Sequence, residues 1–124
     1  MPPDLAIFAR QAGDLAFVAG LVLMAILSAA AAVRIERGAR VPMQWDFKGR
    51  PLWHLGRRGA MMFSPAVAAV SGMMLTSVAH GERELATDGA LALGMVRAMM
   101  ALVFVVAHAF HLSVALRTLE SRRR

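Results

Sequence analysis

The sequence contains no cysteine and no tyrosine, and charged side chains are scarce. Without cysteine, the chain can form no disulfide, no thiol redox centre and no cysteine-based zinc site. Charged residues make up 18% of the 124 residues and aromatic residues 6%, whereas hydrophobic residues make up 58%. That hydrophobic share exceeds the roughly 45–50% typical of soluble domains, and it excludes disordered and collagen-like chains. The length corresponds to about one domain.

Charged residues are absent from three long stretches. Residues 15–33, 59–79 and 98–116 contain no Asp, Glu, Lys or Arg, so the uncharged runs are 19, 21 and 19 residues long. A helix that spans a bilayer needs roughly 20 mainly apolar residues. A soluble bundle could cover one such helix, but too few residues remain here to cover three. The sequence therefore predicts an all-α membrane protein with three transmembrane helices, at about 13–33, 59–79 and 90–116.

The first span is expected to remain in the protein rather than to act as a cleaved signal. Arg10 precedes it together with the acids Asp4 and Asp14, so the basic segment that opens a secretory signal is missing. Several arginines follow the span directly, and such charges resist export. We therefore expect a single three-span membrane domain over residues 1–124.

Positive charges concentrate on one side of this domain. In a three-span chain the N-terminal segment and the second loop share one side, which holds three basic residues. The first loop (34–58) and the basic C-terminal tail (117–124) hold the other eleven. The positive-inside rule then predicts a cytoplasmic first loop and C-terminus and an external N-terminus. Because this topology accounts for the net charge of +6, no nucleic-acid partner is expected, whereas a lipid bilayer is.

The first loop contains the main motif of the chain. Pro42 and Pro51 disfavour helix at and before their own positions. Gly49 supplies a turn position, and apolar residues alternate up to Trp45. We expect an extended–turn–extended segment, such as a small hairpin, that lies on the membrane surface. Trp45 and Trp53 are the only tryptophans, and an indole at an interface can bury its ring while its N–H stays hydrated.

A series of spaced anchors runs from this loop into the second span. The anchors are Val41, Pro42, Trp45, Gly49, Pro51, Arg57 or Arg58, and Pro65. The pattern resembles the SdpI-like family of small bacterial multi-pass membrane proteins, which share a domain of unknown function. The resemblance covers roughly half of the chain, and it implies a bacterial inner-membrane protein with an immunity or signalling role. The best-known members differ from this sequence in having a further C-terminal membrane region and a basic N-terminal segment, which would place the loop outside.

Two interpretations of the loop remain open. Its prolines and tryptophans suit a rigid connector that is anchored at the membrane surface. The same loop suits a recognition surface for a partner, either a peptide or another membrane protein. The candidate partner-binding residues are Pro42, Trp45, Gly49, Arg50, Pro51 and Trp53.

The third span carries a polar stripe, because Arg97, Phe104, His108 and His111 share one helix face. We expect Arg97 to extend to the outer membrane surface, since it lies about one turn inside a long helix. The two histidines are expected to hydrogen-bond to backbone carbonyls or to serines of neighbouring helices. The candidate serines are Ser28, Ser64 and Ser71. Alternatively, His108 and His111 form a metal or haem site, since histidines three residues apart can share a ligand.

Small residues mark the faces along which the helices are expected to pack. Gly13, Ala16 and Gly20 line one side of the first span, and Ala68 and Gly72 line one side of the second. Small residues four apart let two helices approach closely. These positions therefore predict close helix–helix contacts.

The sequence contains no recognisable catalytic set. All eight acids lie outside the three uncharged stretches, and neither a phosphate-binding glycine loop nor an HExxH motif is present. We therefore expect a non-enzymatic interaction or immunity-type protein, with no cofactor, whose loop at 41–58 contacts a partner. The alternatives are a haem- or metal-binding protein that uses His108 and His111, and an accessory subunit of a larger membrane complex. Homo-oligomerisation remains open.

Overall fold

The computed structural model of the protein describes residues 3–81 and 87–124. Within these residues the chain forms three helices and one two-stranded sheet. All three helices are long and apolar enough to cross a membrane. The predicted all-α, three-span fold with a short extended segment after the first helix is therefore confirmed. The elements are α1 (Pro3–Arg34), β1 (Arg40–Trp45), β2 (Pro51–Gly56), α2 (Arg57–Gly81) and α3 (Thr87–Arg122).

The helices extend beyond the predicted spans. Helix α1 begins at Pro3 rather than near residue 13, and α3 continues to Arg122 rather than ending near residue 116. At a rise of 1.5 Å per residue, α1 and α3 are about 48 Å and 54 Å long, compared with a hydrocarbon layer of about 30 Å. Charged residues near their ends therefore lie on helical turns, and most of the predicted C-terminal tail belongs to α3.

Helices α1 and α3 form the most extensive contact in the described part of the chain. They run in the same direction, since Asp14 contacts Arg97 about three turns after each helix begins and Arg34 contacts Glu120 near their last turns. The predicted close approach of small residues is confirmed: a Cβ atom added at Gly20 would lie 3.3 Å from the Cβ of Ala101. Helix α2 packs less extensively on both partners.

Strands β1 and β2 form the expected hairpin. They pair antiparallel, with Val41 opposite Leu55 and Trp45 opposite Pro51, and the register is irregular around Gln44. The turn closes through a backbone hydrogen bond from Asp46 N–H to the Arg50 carbonyl at 2.9 Å. The hairpin is therefore a defined element rather than a free loop.

The hairpin packs into one end of the helical bundle. In β1, Val41, Pro42 and Met43 are buried. Val41 and Met43 join a core that all three helices share, and burying their apolar side chains stabilises the docked arrangement. The buried members of this core are Ala31, Ile35, Val41, Met43, Ala60, Met61, Leu112 and Ala115.

Candidate functional site

The inner side of the hairpin attaches it to the helices. Pro42 is almost completely buried in β1, so its side chain is not accessible to a partner in this conformation. The Trp45 ring lies 5.6 Å from the His111 ring, measured between centroids. The Trp53 ring meets Phe63 edge to face at 5.8 Å, a geometry that aromatic pairs favour. Both predicted tryptophans thus hold the hairpin against α2 and α3.

The two strands are also joined by a side-chain hydrogen bond. The indole N–H of Trp53 donates to the side-chain oxygen of Gln44 at 2.8 Å. These residues are cross-strand partners at the irregular position of the register. The bond satisfies the indole donor and fixes the Trp53 ring orientation.

The hairpin tip is ordered by Asp46. One carboxylate oxygen accepts hydrogen bonds from the backbone N–H groups of Lys48 and Arg50, each at 2.9 Å. The other oxygen accepts from Arg50 Nε at 3.0 Å. Gly49 adopts a φ of 75°, a left-handed conformation that glycine enters without steric cost. The hydrogen bond from the Arg50 backbone, followed by those from the Arg50 side chain and the Lys48 backbone, lowers the pKa of Asp46.

The outer side of the hairpin exposes apolar side chains. Phe47, at the tip, is fully exposed, and Leu52 in β2 is 62% exposed. Arg50 also points outward, and its side chain is largely exposed. Of the predicted partner-binding residues, Gly49, Arg50 and Pro51 therefore surround an exposed tip, whereas Pro42 and the tryptophans form its base. Sequence analysis missed Phe47 and Leu52, although each lies beside a predicted turn or proline.

A polar node in the bundle joins all three helices. The hydroxyl of Ser28 on α1 donates to the Met61 carbonyl on α2 at 3.0 Å, and its oxygen lies 2.8 Å from His108 Nε2 on α3. A serine hydroxyl carries one proton, so His108 Nε2–H must be the donor in the second bond. The expected bond between a third-span histidine and a serine is confirmed for Ser28 and His108.

The same geometry leaves two imidazole nitrogens without a partner. Among residues 3–81 and 87–124, neither His108 Nδ1 nor His111 Nε2 has a hydrogen-bond partner, and both atoms are buried. His111 lines a groove of about 270 Å³ between α2, α3 and the hairpin. The described residues contain no group of three or more His, Cys, Asp or Glu side chains placed to hold a metal ion. A metal or haem site at His108 and His111 stays a prediction.

The expectation that Arg97 extends to the membrane surface is wrong. Its side chain is 2% exposed and lies between the helices. The guanidinium donates to Asp14 on α1 and to the hydroxyl of Thr76 on α2, the latter at 2.8 Å. His80 at the end of α2 also contacts Asp14, at 3.1 Å. Arg97 stays inside the protein because these partners compensate a charge that would be costly in lipid.

Gly13 makes room for this arginine. A Cβ atom added at Gly13 would lie 2.7 Å from Arg97 Nη1. The guanidinium thus rests directly against the α1 backbone. Asp14 was predicted to flank the first span, but it lies within α1, at nearly the same distance from the helix start as Arg97 in α3. The sequence signal for this ion pair is an acid, Asp14, and a base, Arg97, at similar distances from the starts of their helices, and the sequence analysis did not use it.

Comparisons of the chain with protein-family models, with curated proteins and with solved structures found no match. The resemblance to the SdpI-like family therefore stays a prediction that depends on the motif residues alone.

Proposed function

We propose that this chain is a non-catalytic membrane protein whose hairpin, at residues 40–56, binds a partner. The partner is a peptide or a segment of another membrane protein. The observation that carries the proposal is the fully exposed phenyl ring of Phe47 on an ordered turn. Leu52 adds a second exposed apolar side chain on the same hairpin. Binding residues are often found on loops that a rigid scaffold positions.

The buried base of the hairpin supports this proposal. Val41 and Pro42 anchor β1 in the bundle, while Asp46 holds the tip in one conformation. A surface that is ordered before binding loses less conformational entropy when a partner arrives. The base therefore attaches the hairpin to the helices, and the tip contacts the partner. This division combines the connector and recognition interpretations of the loop.

We also propose a bacterial plasma-membrane location, with the hairpin and C-terminus in the cytoplasm. Eleven basic residues belong to the segments on this side and two, Arg10 and Arg83, to those on the other, while Arg97 is buried in the bundle; this distribution supports the orientation. An immunity or signalling role is one use of a partner-binding hairpin, and it depends on the SdpI-like resemblance. The partner would then be reached from the cytoplasmic side or within the membrane.

Site-specific photocross-linking in cells tests the hairpin as a binding element. A photoreactive amino acid replaces Phe47, and in a matched control it replaces Phe110, which is 70% exposed on α3. We expect a discrete protein adduct from position 47 that is absent from position 110. Lipid adducts alone from position 47, or the same protein adducts from both positions, would count against the proposal. An adduct with a second copy of the chain would identify a homo-oligomer.

A haem- or metal-binding role is the second candidate, and the unpartnered nitrogens of His108 and His111 favour it. The absorption spectrum and metal content of the purified protein test this role. A Soret band, or stoichiometric copper that is lost in His108→Ala, would support it. A colourless, metal-free preparation would oppose it. An accessory subunit of a larger complex would instead be unstable when expressed without its partners.

A further inference from the structure

An open cleft of about 520 Å³ lies at the base of the hairpin, where α1 has ended and α2 begins. Three arginines and three glycines line it. A Cβ atom added at Gly38 or Gly56 would meet no other atom within 4 Å, so the space beside these residues is open. The cleft is therefore lined by arginine and glycine residues alone. The lining residues are Arg37, Gly38, Gly56, Arg57, Arg58 and Gly59.

The carboxylates on this side of the molecule are engaged by arginines outside the cleft. Among residues 3–81 and 87–124, no carboxylate lies within ion-pair distance of an arginine of the cleft. The cleft thus concentrates positive charge that the described chain leaves uncompensated. The pairs formed elsewhere on this side are Glu36 with Arg123 at 3.0 Å, Asp46 with Arg50 at 3.0 Å, and Glu120 with Arg34 at 2.7 Å.

Arg57 is held in place at the cleft wall. Its Nη1 atom donates to the carbonyl oxygen of Ile35 at 3.1 Å, and the bond is partly buried. This bond joins the segment after α1 to the first residue of α2. The remaining donors of a guanidinium fork suit the oxygens of a phosphate group, and they can bind two oxygens at once. A guanidinium that is already fixed loses little side-chain entropy when an anion binds.

We propose that this cleft binds a phosphate group. Its position favours an anionic phospholipid headgroup as the source, because α1 and α2 both have their ends here. Basic pockets at the ends of membrane-spanning helices are suited to headgroups of this kind. Free inorganic phosphate offers the same oxygens from solution and is the other possible source. Arg37 and Arg58 are exposed and form no ion pair among the described residues, so their side chains can turn toward a phosphate that Arg57 contacts.

The test measures binding of phosphatidylglycerol to the purified full-length protein in phosphatidylcholine-containing detergent micelles. The variant Arg37→Gln/Arg58→Gln removes two cleft charges but keeps the Arg57 hydrogen bond to Ile35. The matched control, Arg117→Gln/Arg124→Gln, removes two exposed charges outside the cleft. We expect about 30-fold weaker binding in the cleft variant, because two charge-assisted contacts with the phosphate are lost. Affinity should change little in the control, and equal losses in the two variants would overturn the proposal.

A steric variant separates a defined site from general charge attraction. Gly56→Leu keeps all three arginines and introduces a side chain into open space at the cleft. We expect it to weaken phosphatidylglycerol binding while circular dichroism and elution volume stay those of the unmodified protein. Unchanged affinity in this folded variant would argue for diffuse attraction and against the cleft.

Inorganic phosphate distinguishes the two sources. If the lipid binds and millimolar phosphate neither competes nor raises the melting temperature, the cleft is a headgroup site. If phosphate alone raises the melting temperature of the unmodified protein but not of Arg37→Gln/Arg58→Gln, the site is filled from solution. If neither ligand distinguishes the unmodified protein from that variant, the proposal is wrong.

Discussion

Arg97 of α3 and Asp14 of α1 form an ion pair inside the bundle, and Thr76 of α2 binds the same guanidinium. One arginine therefore contacts both other helices. Its side chain is almost completely buried, whereas Asp14 keeps partial access to the surroundings through its 39% exposure. The pair joins the helices in the half of the bundle that lies away from the hairpin.

Removing Asp14 should destabilise the bundle because Arg97 would remain as a buried charge without its main partner. We expect Asp14→Asn to lower the free energy of unfolding by about 1–3 kcal/mol, less than for a fully buried pair because Asp14 is partly exposed. Unfolding in mixed micelles would measure this loss. The double variant Asp14→Asn/Arg97→Met should lose less, since it removes the stranded charge. Equal stability of Asp14→Asn and the unmodified protein would contradict this role.

Gly94 should be required for the contact between α3 and α1. A Cβ atom added there would lie 2.8 Å from the backbone carbonyl oxygen of Ala9, so the helices would have to separate. We expect Gly94→Ala to cost about 1–3 kcal/mol in the same unfolding assay. In Gly81→Ala, the control, the added atom meets nothing within 4 Å. A smaller loss for Gly94→Ala than for Gly81→Ala would refute this packing.

Ser28→Ala should weaken the contact among the three helices, because it leaves both His108 Nε2–H and the Met61 carbonyl without their shared partner. Hydrogen bonds between membrane helices contribute about 0.6 kcal/mol on average and up to about 1.7 kcal/mol, and we expect a loss in that range. Ser113→Ala is the control, since the Ser113 hydroxyl donates only to the Ala109 carbonyl of its own helix. Unfolding midpoints of the two variants provide the comparison, and equal midpoints would argue against the node.

The hairpin tip should lose its order in acid. Because the folded pKa of Asp46 lies below its usual value of 3.8, the contribution of the carboxylate is complete above that pH. It is lost as the pH falls through the lower, folded pKa. The amide resonances of Lys48 and Arg50 should report this change together. In Asp46→Asn, which keeps an acceptor oxygen without titrating, both resonances should stay constant over the same pH range.

The absence of cysteine allows a direct test of topology with single introduced thiols. If the hairpin is cytoplasmic, a membrane-impermeant maleimide should label Asp4→Cys in intact cells. It should label Phe47→Cys only after the membrane is permeabilised. The opposite labelling would reverse the proposed orientation and agree with the sidedness of the best-known SdpI-like proteins.

The fold could be predicted because its main signals are local. An uncharged run such as 98–116 indicates a span without knowledge of its neighbours, and Gly49 between Pro42 and Pro51 indicates a turn between extended segments. The helix ends were less accurate. Arg10 suggests a boundary of the first span in the sequence, but α1 continues through this charged turn beyond the hydrocarbon.

The role of Arg97 could not be predicted from its own position. Burying it requires Asp14 at the same depth on a neighbouring parallel helix, which is a property of the packed bundle. The serine partner of His108 was among the predicted candidates, but choosing Ser28 over Ser64 required the helix arrangement. The exposure of Phe47 could not be predicted either, because the sequence does not indicate whether a phenylalanine in a turn faces the protein or the solvent.

The pairing of α1 with α3 has a consequence for biosynthesis. Asp14 and Ser28 enter the membrane with the first helix, but their partners Arg97 and His108 follow 83 and 80 residues later in the chain. Until the ribosome has completed α3, Asp14 and Ser28 have only their partners on α2, which are His80 and the Met61 carbonyl. Helix α3 therefore completes the electrostatics of α1, and the bundle cannot reach its final arrangement before α3 has been made.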